Sequence, residues 1–136
     1  MSTPADLYAP PDIEPAVVAC LSQDADVWVG TRFPADGPGA GAIRVSATGG
    51  ARPSGLVAVE LTVLVECWHD DAGEAARIAR RAWARLDAAA GETFAGVEFK
   101  HVSSTGLNNN PDVNRPNLER FQFLTSISTR TVPLEA

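Results

Sequence analysis

Cys67 and His69 are separated by one residue and have side chains of the types that bind zinc. A structural zinc site needs four ligands, and one such pair supplies at most two. No second pair with this spacing follows, and the remaining cysteine and histidine, Cys20 and His101, lie far away in the sequence. We therefore predict no metal site, with Cys67 in the core of a strand and His69 at the surface where that strand ends.

Three further patterns have ordinary structural interpretations. The glycine-rich residues 37–41 lack the Gly-Lys-Ser/Thr end of a phosphate-binding loop, and a strand pattern rather than a helix follows them. Asp70 and Asp71 are a possible acid–base pair, but Asp71 stands where a helix would be capped. The serines lack the G-x-S-x-G elbow of hydrolases. The sequence thus predicts no catalytic residue, no cofactor and a function that is not enzymatic.

Arginines cluster on one side of the helix that is predicted to follow Asp71. They are Arg77, Arg80, Arg81 and Arg85. Like charges four residues apart mildly destabilise a helix, so this basic face needs a reason. Because the chain as a whole is acidic, one interpretation is that the face meets acidic residues of another copy. The alternative is an ordinary solvated surface.

Long loops rich in glycine, proline and asparagine are predicted at residues 33–41, 49–55 and 104–117. Arg52 and Arg115 lie in the second and third of them. Long loops in a small domain often carry function, so they are either contact arms or plain surface loops.

Composition limits the class of protein. Of 136 residues, 45% are hydrophobic, which is enough for the buried core of one domain. Seventeen acidic residues against eleven basic ones give a net charge of -6, which argues against a general nucleic-acid binder. No apolar run reaches 18 residues, so no membrane span is expected. The first residues lack the pattern of a secretory signal, and two cysteines fit a reduced intracellular compartment.

Hydrophobic periodicity predicts the element order α-β-β-β-α-β-β. The helices are expected at residues 12–23 and 72–90, and the strands at 27–32, 42–48, 57–68, 94–103 and 118–132. Residues 1–11 hold three prolines and are expected to be a flexible arm without structure of its own, which leaves residues 12–136 as a single domain.

Two of these elements have strong patterns. Residues 57–68 alternate between apolar side chains and a mixed set that includes Glu60 and Glu66, which predicts one buried and one half-wet face. In the second helix, Asp71 is a cap, Glu74 its capping-box partner and Gly91 the C-terminal stop. The alanine-rich face of this helix, with Trp83, is expected to lie close against the sheet.

A series of motifs along the chain has a familiar order. VWVGTRFP (Val27 to Pro34) is followed by IRVSATGGAR (Ile43 to Arg52) and then by a long strand that ends in ECW (Glu66 to Trp68). After that strand comes D-x-x-E-A-x-x-I-A from Asp71, and PDVNRPNLERFQF runs from Pro111 to Phe123. In their order, spacing and overall length these motifs resemble the tail terminator, or tail completion, proteins of long-tailed siphophages, over residues 12–132.

The resemblance implies an α+β fold, with a mixed or antiparallel sheet of four to five strands and two helices packed on it. It also implies a ring, usually a homohexamer, that caps the tail tube, stops its polymerisation and offers a surface to the head connector. The partners would then be further copies, the tube protein and the connector or neck protein. The protein would lie at the head-proximal end of the virion tail after assembly in the host cytoplasm, with DNA passing through the lumen without specific binding.

Complementary charge would give such a ring its specificity. The candidate interface residues are Arg77, Arg81, Arg85, Arg52, Arg115, Glu60 and Glu66. Two other functions stay open: a different head–tail joining (neck) adaptor, and a small-ligand-binding α+β module.

Overall fold

The computed structural model of the chain describes residues 7–49, 52–53 and 57–134. The helices are α1 (Ile13–Ser22) and α2 (Ala72–Asp87). The longer strands are β2 (Trp28–Gly30), β3 (Gly41–Ala47), β5 (Ala58–His69), β8 (His101–Ser104) and β10 (Glu119–Arg130). Two-residue strands are β1 (Tyr8–Ala9), β4 (Arg52–Pro53), β6 (Thr93–Phe94), β7 (Val97–Glu98), β9 (Asn108–Asn109) and β11 (Val132–Pro133). Within these ranges, neither helix combines the length and the apolar character needed to cross a bilayer.

The longer strands form one mixed sheet in the order β2-β3-β5-β10-β8. Among the described residues, only the β2–β3 pair is parallel, and β4 and β9 extend the pairing of β5 and β10. The central pair, β5 and β10, stays in register over twelve residues, from Glu119 opposite His69 to Arg130 opposite Ala58. The predicted α+β fold, with a mixed sheet and two helices, is confirmed.

Both helices contribute to a single core on one face of the sheet, which we call the covered face. The alternate residues of β5 that face this core are buried: Val59, Leu61, Val63, Val65 and Cys67. From α2 the alanines predicted to face the sheet are buried, together with Ile78 and Leu86. Small side chains let the helix axis approach the sheet closely, and the half-buried Trp83 packs at the edge of the core.

The opposite face of the sheet, which we call the uncovered face, has no helix on it within the described residues. Thr62, Leu64 and Ser126 are half-buried there, and Leu124 is 39% exposed. The predicted division of residues 57–68 into a buried face and a partly solvent-exposed face therefore holds along most of β5.

The single strand predicted over residues 94–103 is wrong. Ala95 and Gly96 both have positive φ, at 49° and 79°, and turn the chain into a tight hairpin between β6 and β7. Positive φ at both central residues matches the twist of flanking strands, which is why two-residue hairpins adopt it. Phe94 and Phe99 then contact each other as tilted rings with centroids 5.1 Å apart. The alternation predicted as one strand is therefore distributed over β6, β7 and β8.

Segments expected to be loops also form strand pairs. Residues 8–9 of the predicted N-terminal arm pair with β11, so the arm is not without structure there, and residues 1–6 lie outside the described residues. In the loop predicted at 49–55, residues 52–53 pair with β5, while 50–51 and 54–56 fall outside the description. Within residues 104–117, Asn108 and Asn109 pair with β10.

The two helices begin differently. The Asp71 side chain accepts a hydrogen bond from the Glu74 backbone N–H at 2.9 Å, as predicted. In a capping box the Asp71 N–H would donate to the Glu74 side chain. Here it donates to His69 Nδ1 instead, at 3.0 Å. Asp12 occupies the same position at α1, but its side chain makes no capping hydrogen bond. Helix α2 ends at Asp87, three residues earlier than predicted, and Gly91 follows with φ +89°.

Asp71→Ala is expected to lower the free energy of unfolding by about 1 kcal/mol, because one N–H of the first helical turn loses its acceptor. Urea unfolding measures the change. Asp12→Ala is the matched control and is expected to cost less, since no side-chain capping bond is lost there. Equal losses for the two variants would contradict the assigned role of Asp71.

Candidate functional site

The arginines of α2 find partners within the same chain. Arg77 donates to Asp26 Oδ2 and Glu74 Oε2, both at 3.0 Å, and these hydrogen bonds, with Glu74 first, raise its pKa. Arg81 donates to the carbonyl oxygen of Asp24 at 3.2 Å. The connection between α1 and β2 thus supplies acidic partners to this basic face from within the same chain.

Arg85 is the least exposed of these partnered arginines, with 16% of its side chain accessible. It donates to Gln23 Oε1 at 2.8 Å and to Glu92 Oε2 at 3.0 Å. Its guanidinium also lies 5.5 Å from the Phe94 ring centroid. Arg85 therefore links α2 to the connection between α1 and β2 and to the connection between α2 and β6. The Arg81 side chain is more exposed, at 54%.

Charge reversal separates these two roles. Arg81→Glu is expected to change the free energy of unfolding by less than about 0.5 kcal/mol, because exposed charges contribute little. Arg85→Glu is expected to cost about 1–2 kcal/mol, since it removes two hydrogen bonds and places a carboxylate beside Glu92. Urea unfolding measures both, and sedimentation of the two folded variants reports whether self-association weakens. Equal losses of stability would contradict this division.

A different group of side chains gathers on the uncovered face, where β3, β5 and β10 lie side by side. At its centre Glu66 is 4% exposed. Arg44 donates to its two oxygens at 3.0 and 3.3 Å, and Arg120 donates to Oε2 at 3.0 Å. A carboxylate is buried at tolerable cost only with such charged partners. Glu66, which was predicted as an interface residue, therefore takes part in an ion-pair network within the chain.

Aromatic rings lie beside this network. Phe33 and the fully buried Trp68 meet edge to face, with centroids 5.6 Å apart and planes at 81°. The Arg44 guanidinium lies 4.7 Å from the Phe33 centroid, and that of Arg120 lies 5.1 Å from the Trp68 centroid. Such cation–π contacts stabilise charge in a partly desolvated place. Nε1 of Trp68 is buried without an acceptor in the described part of the chain.

Arg115 completes the group from the loop between β9 and β10. Its guanidinium lies 5.1 Å from the Phe33 centroid and 5.8 Å from that of Trp68. Its position is fixed by backbone turns, since the Arg115 N–H donates to Asp112 O and the Leu118 N–H donates to Arg115 O. Two loops that sequence analysis singled out, residues 33–41 and 104–117, thus converge at one end of the sheet. We call Phe33, Arg44, Glu66, Trp68, Arg115 and Arg120 the arginine–aromatic cluster.

The remaining predicted interface residues lie elsewhere. Arg52 pairs in register with Glu60 through the β4–β5 ladder, near the opposite end of β5 from the cluster. Only Arg115 and Glu66 of the predicted set come together at the cluster. Sequence reasoning missed the other four members, Phe33, Arg44, Trp68 and Arg120. Arg44 and Arg120 alternate with core residues along their strands.

Both cysteines are free thiols that pack as small side chains in the core. Burial raises the pKa of Cys20 to about 11 and that of Cys67 well above its usual value, so both thiols are protonated at neutral pH. Thiolate, not thiol, is the nucleophile and metal ligand. Across the described ranges, no group of three or more potential ligands comes together around Cys67 and His69.

The arrangement can bind an anion or a protein surface through charge and aromatic contact. The cluster contains three guanidinium groups and one carboxylate, so it carries an excess positive charge in an acidic chain. Comparison with protein-family models and with curated proteins finds no match to this chain.

Proposed function

We propose that this protein is a siphophage tail terminator: a structural protein that forms a ring, usually of six copies, on the end of the tail tube. The order of its sequence motifs and its α+β fold support the proposal. In this role the protein stops polymerisation of the tube and gives the head connector a surface to bind. It acts by shape and stoichiometry and performs no bond-making or bond-breaking.

The observation that carries the proposal is the uncovered face of the sheet. Strands β5 and β10 pair over about 36 Å, taking 3.3 Å per residue, and the β5 side chains on this face are partly exposed from Ala58 to Leu64. Thr62 and Ser126 are joined across it by a hydroxyl hydrogen bond of 3.0 Å, and Leu64 and Leu124 flank them. This face combines polar and apolar side chains on a long, regularly paired part of the sheet. Such a face suits contact with another subunit, because few of its side chains need to be ordered on binding.

Partners and location follow from this role. The tail tube protein and the connector or neck protein would bind the two ends of the ring, at the head-proximal end of the virion tail. The net charge of -6 disfavours tight phosphate contacts, which suits a lumen through which DNA must pass.

The test is to add the purified protein to polymerising tail tube subunits and to measure tube length by electron microscopy. A terminator shortens the tubes as its concentration rises and caps their ends, and native mass spectrometry finds a ring. Tubes of unchanged length would overturn the proposal. A ring that binds connector protein but leaves tube length unchanged would favour the neck adaptor instead.

A matched pair of variants locates the active surface in the same assay. Leu124→Glu puts a charge on the uncovered face and is expected to weaken capping while the protein stays folded. Arg80→Glu, an exposed change on α2 at the covered side of the sheet, is the control and is expected to leave capping intact. Equal capping by both variants would exclude the uncovered face.

A further inference from the structure

We propose that the arginine–aromatic cluster is a binding site for a small divalent oxyanion of the phosphate type. The site is built by a single folded chain and does not depend on ring formation. It therefore goes beyond the proposed function, and its test uses the purified protein alone.

The cluster has more hydrogen-bond donors than its own acceptors satisfy. Glu66 accepts from Nε and Nη2 of Arg44 and from Nη1 of Arg120. Nε of Arg120 donates to the Asn110 carbonyl oxygen at 2.7 Å. Among the described residues, Nη1 of Arg44 and Nη2 of Arg120 have no hydrogen-bond partner. These N–H groups remain free to donate to an acceptor from outside the chain.

The guanidinium group of Arg115 is the largest set of unused donors. It packs against the rings of Phe33 and Trp68, but it makes neither an ion pair nor a hydrogen bond with any residue that the structure describes. The nearby Asp112 carboxylate accepts from the Asn114 N–H at 2.9 Å and does not pair with Arg115. A half-buried guanidinium, whose N–H groups can only donate, thus lies in the cluster without an acceptor.

The indole of Trp68 adds one more unpaired donor to the same place. Its Nε1 is buried and has no acceptor in the described part of the chain. The guanidinium carbons of Arg44 and Arg115 lie 5.8 Å from the Trp68 ring centroid, and that of Arg120 lies 5.1 Å away. Buried N–H groups without partners are rare in folded proteins. An unpaired indole donor and three cations around one ring indicate a place that binds a negatively charged acceptor.

Charge and geometry select the kind of ion. Three guanidinium groups and one carboxylate leave two positive charges unbalanced, and one divalent anion neutralises them. The free donors come from three different arginines, which suits an ion that accepts hydrogen bonds on several oxygens. Guanidinium groups also bind such oxygens through paired N–H···O hydrogen bonds. A phosphate-type ion therefore fits this site better than chloride or a single carboxylate.

The site is open to solvent and favours a small ion over a long polyanion. The Arg44 side chain is 32% exposed and Arg115 is half-buried, so an ion reaches both from solution. Charges more than about 8 Å away are largely screened at physiological salt. A small ion therefore interacts mainly with the three arginines, whereas a nucleic acid also meets the rest of a surface whose net charge is -6.

Calorimetric titration with inorganic phosphate tests the site, with sodium chloride keeping the ionic strength constant. Saturable binding of one ion per chain is expected, with sulfate competing because it is also a divalent oxyanion. Arg115→Gln is expected to raise the dissociation constant about tenfold or more, because it removes a charge and paired donors. Arg80→Gln removes the same charge from an exposed position on α2 and is expected to leave binding nearly unchanged.

Two results of this titration would overturn the proposal. One is the absence of saturable phosphate binding, and the other is equal weakening by Arg115→Gln and Arg80→Gln. Urea unfolding shows that both variants stay folded, which is expected because neither side chain makes a hydrogen bond or ion pair with the described residues.

NMR of the three tryptophan indole N–H groups gives a second measurement on the unchanged protein. The Trp68 signal is identified by elimination with Trp28→Phe and Trp83→Phe, and it is expected to shift as phosphate is added. The Trp83 signal is the internal control, since its Nε1 donates to the Thr105 carbonyl oxygen at 2.8 Å. A Trp68 signal that stays in place while phosphate saturates the protein would overturn the proposal.

A phosphate group is also carried by nucleic acids, and a third titration separates the two sources. A short DNA duplex, added under the same conditions, is expected not to displace inorganic phosphate. A duplex that binds more tightly than the free ion, and that loses this binding in Arg115→Gln, would overturn the assignment to a small ion.

Discussion

Glu66→Ala is expected to lower the free energy of unfolding by about 3–5 kcal/mol, because it leaves two arginines beside each other without their shared carboxylate. Glu66 is 4% exposed and accepts three hydrogen bonds, two from Arg44 and one from Arg120. Arg115 is a third cation against the same aromatic rings, so repulsion within the cluster rises as well. Urea unfolding at low salt measures the loss.

Salt and a surface variant serve as controls for this result. Repulsion between the partly exposed arginines is screened by salt, so the deficit of Glu66→Ala is expected to shrink as sodium chloride is raised. Glu98→Ala removes an exposed carboxylate and is expected to change stability by less than about 0.5 kcal/mol. A loss below about 1 kcal/mol for Glu66→Ala would show that the network does not support the fold.

Phe123→Ala is expected to cost about 3–5 kcal/mol, the usual cost of truncating a buried aromatic side chain. Phe123 is 1% exposed and belongs to the core on the covered face. Its removal leaves a cavity in the core on the covered face, which adds to the lost transfer free energy of the ring. Thermal and urea unfolding both report the change.

The next residue in the same strand is the matched control. Leu124 points to the uncovered face, opposite Leu64, and is 39% exposed. Leu124→Ala is expected to cost clearly less than Phe123→Ala, because a side chain that is 39% exposed loses less buried apolar surface when it is truncated. Equal losses for Phe123 and Leu124 would contradict the assignment of the two faces of the sheet.

The arginine–aromatic cluster gives the folded chain a defined charged surface as well as stability. A buried ion-pair network fixes the positions of guanidinium groups, so that a partner meets them already arranged. The same network therefore accounts for one of the two largest expected losses of stability in the chain.

The sequence by itself determined the elements whose patterns are local. The period of alanines and apolar residues after Asp71 located α2, and strict alternation located β5 and assigned its buried face. Capping by Asp71 was also readable, because it involves residues only three apart. Where a pattern permits two local structures, as at residues 94–103, alternation could not reveal the turn at Ala95 and Gly96.

Only the tertiary structure decided which strands are neighbours and in which register. Arg44, Glu66 and Arg120 come from three strands. They meet because Arg44 pairs with Glu66, and Arg120 pairs with Trp68, two residues along β5 on the same face. It also gave the arginines of α2 their partners in the connection between α1 and β2, and it brought Arg115 against Phe33. Pairing between distant strands depends on the packing of the whole core, so no short stretch of sequence carries it.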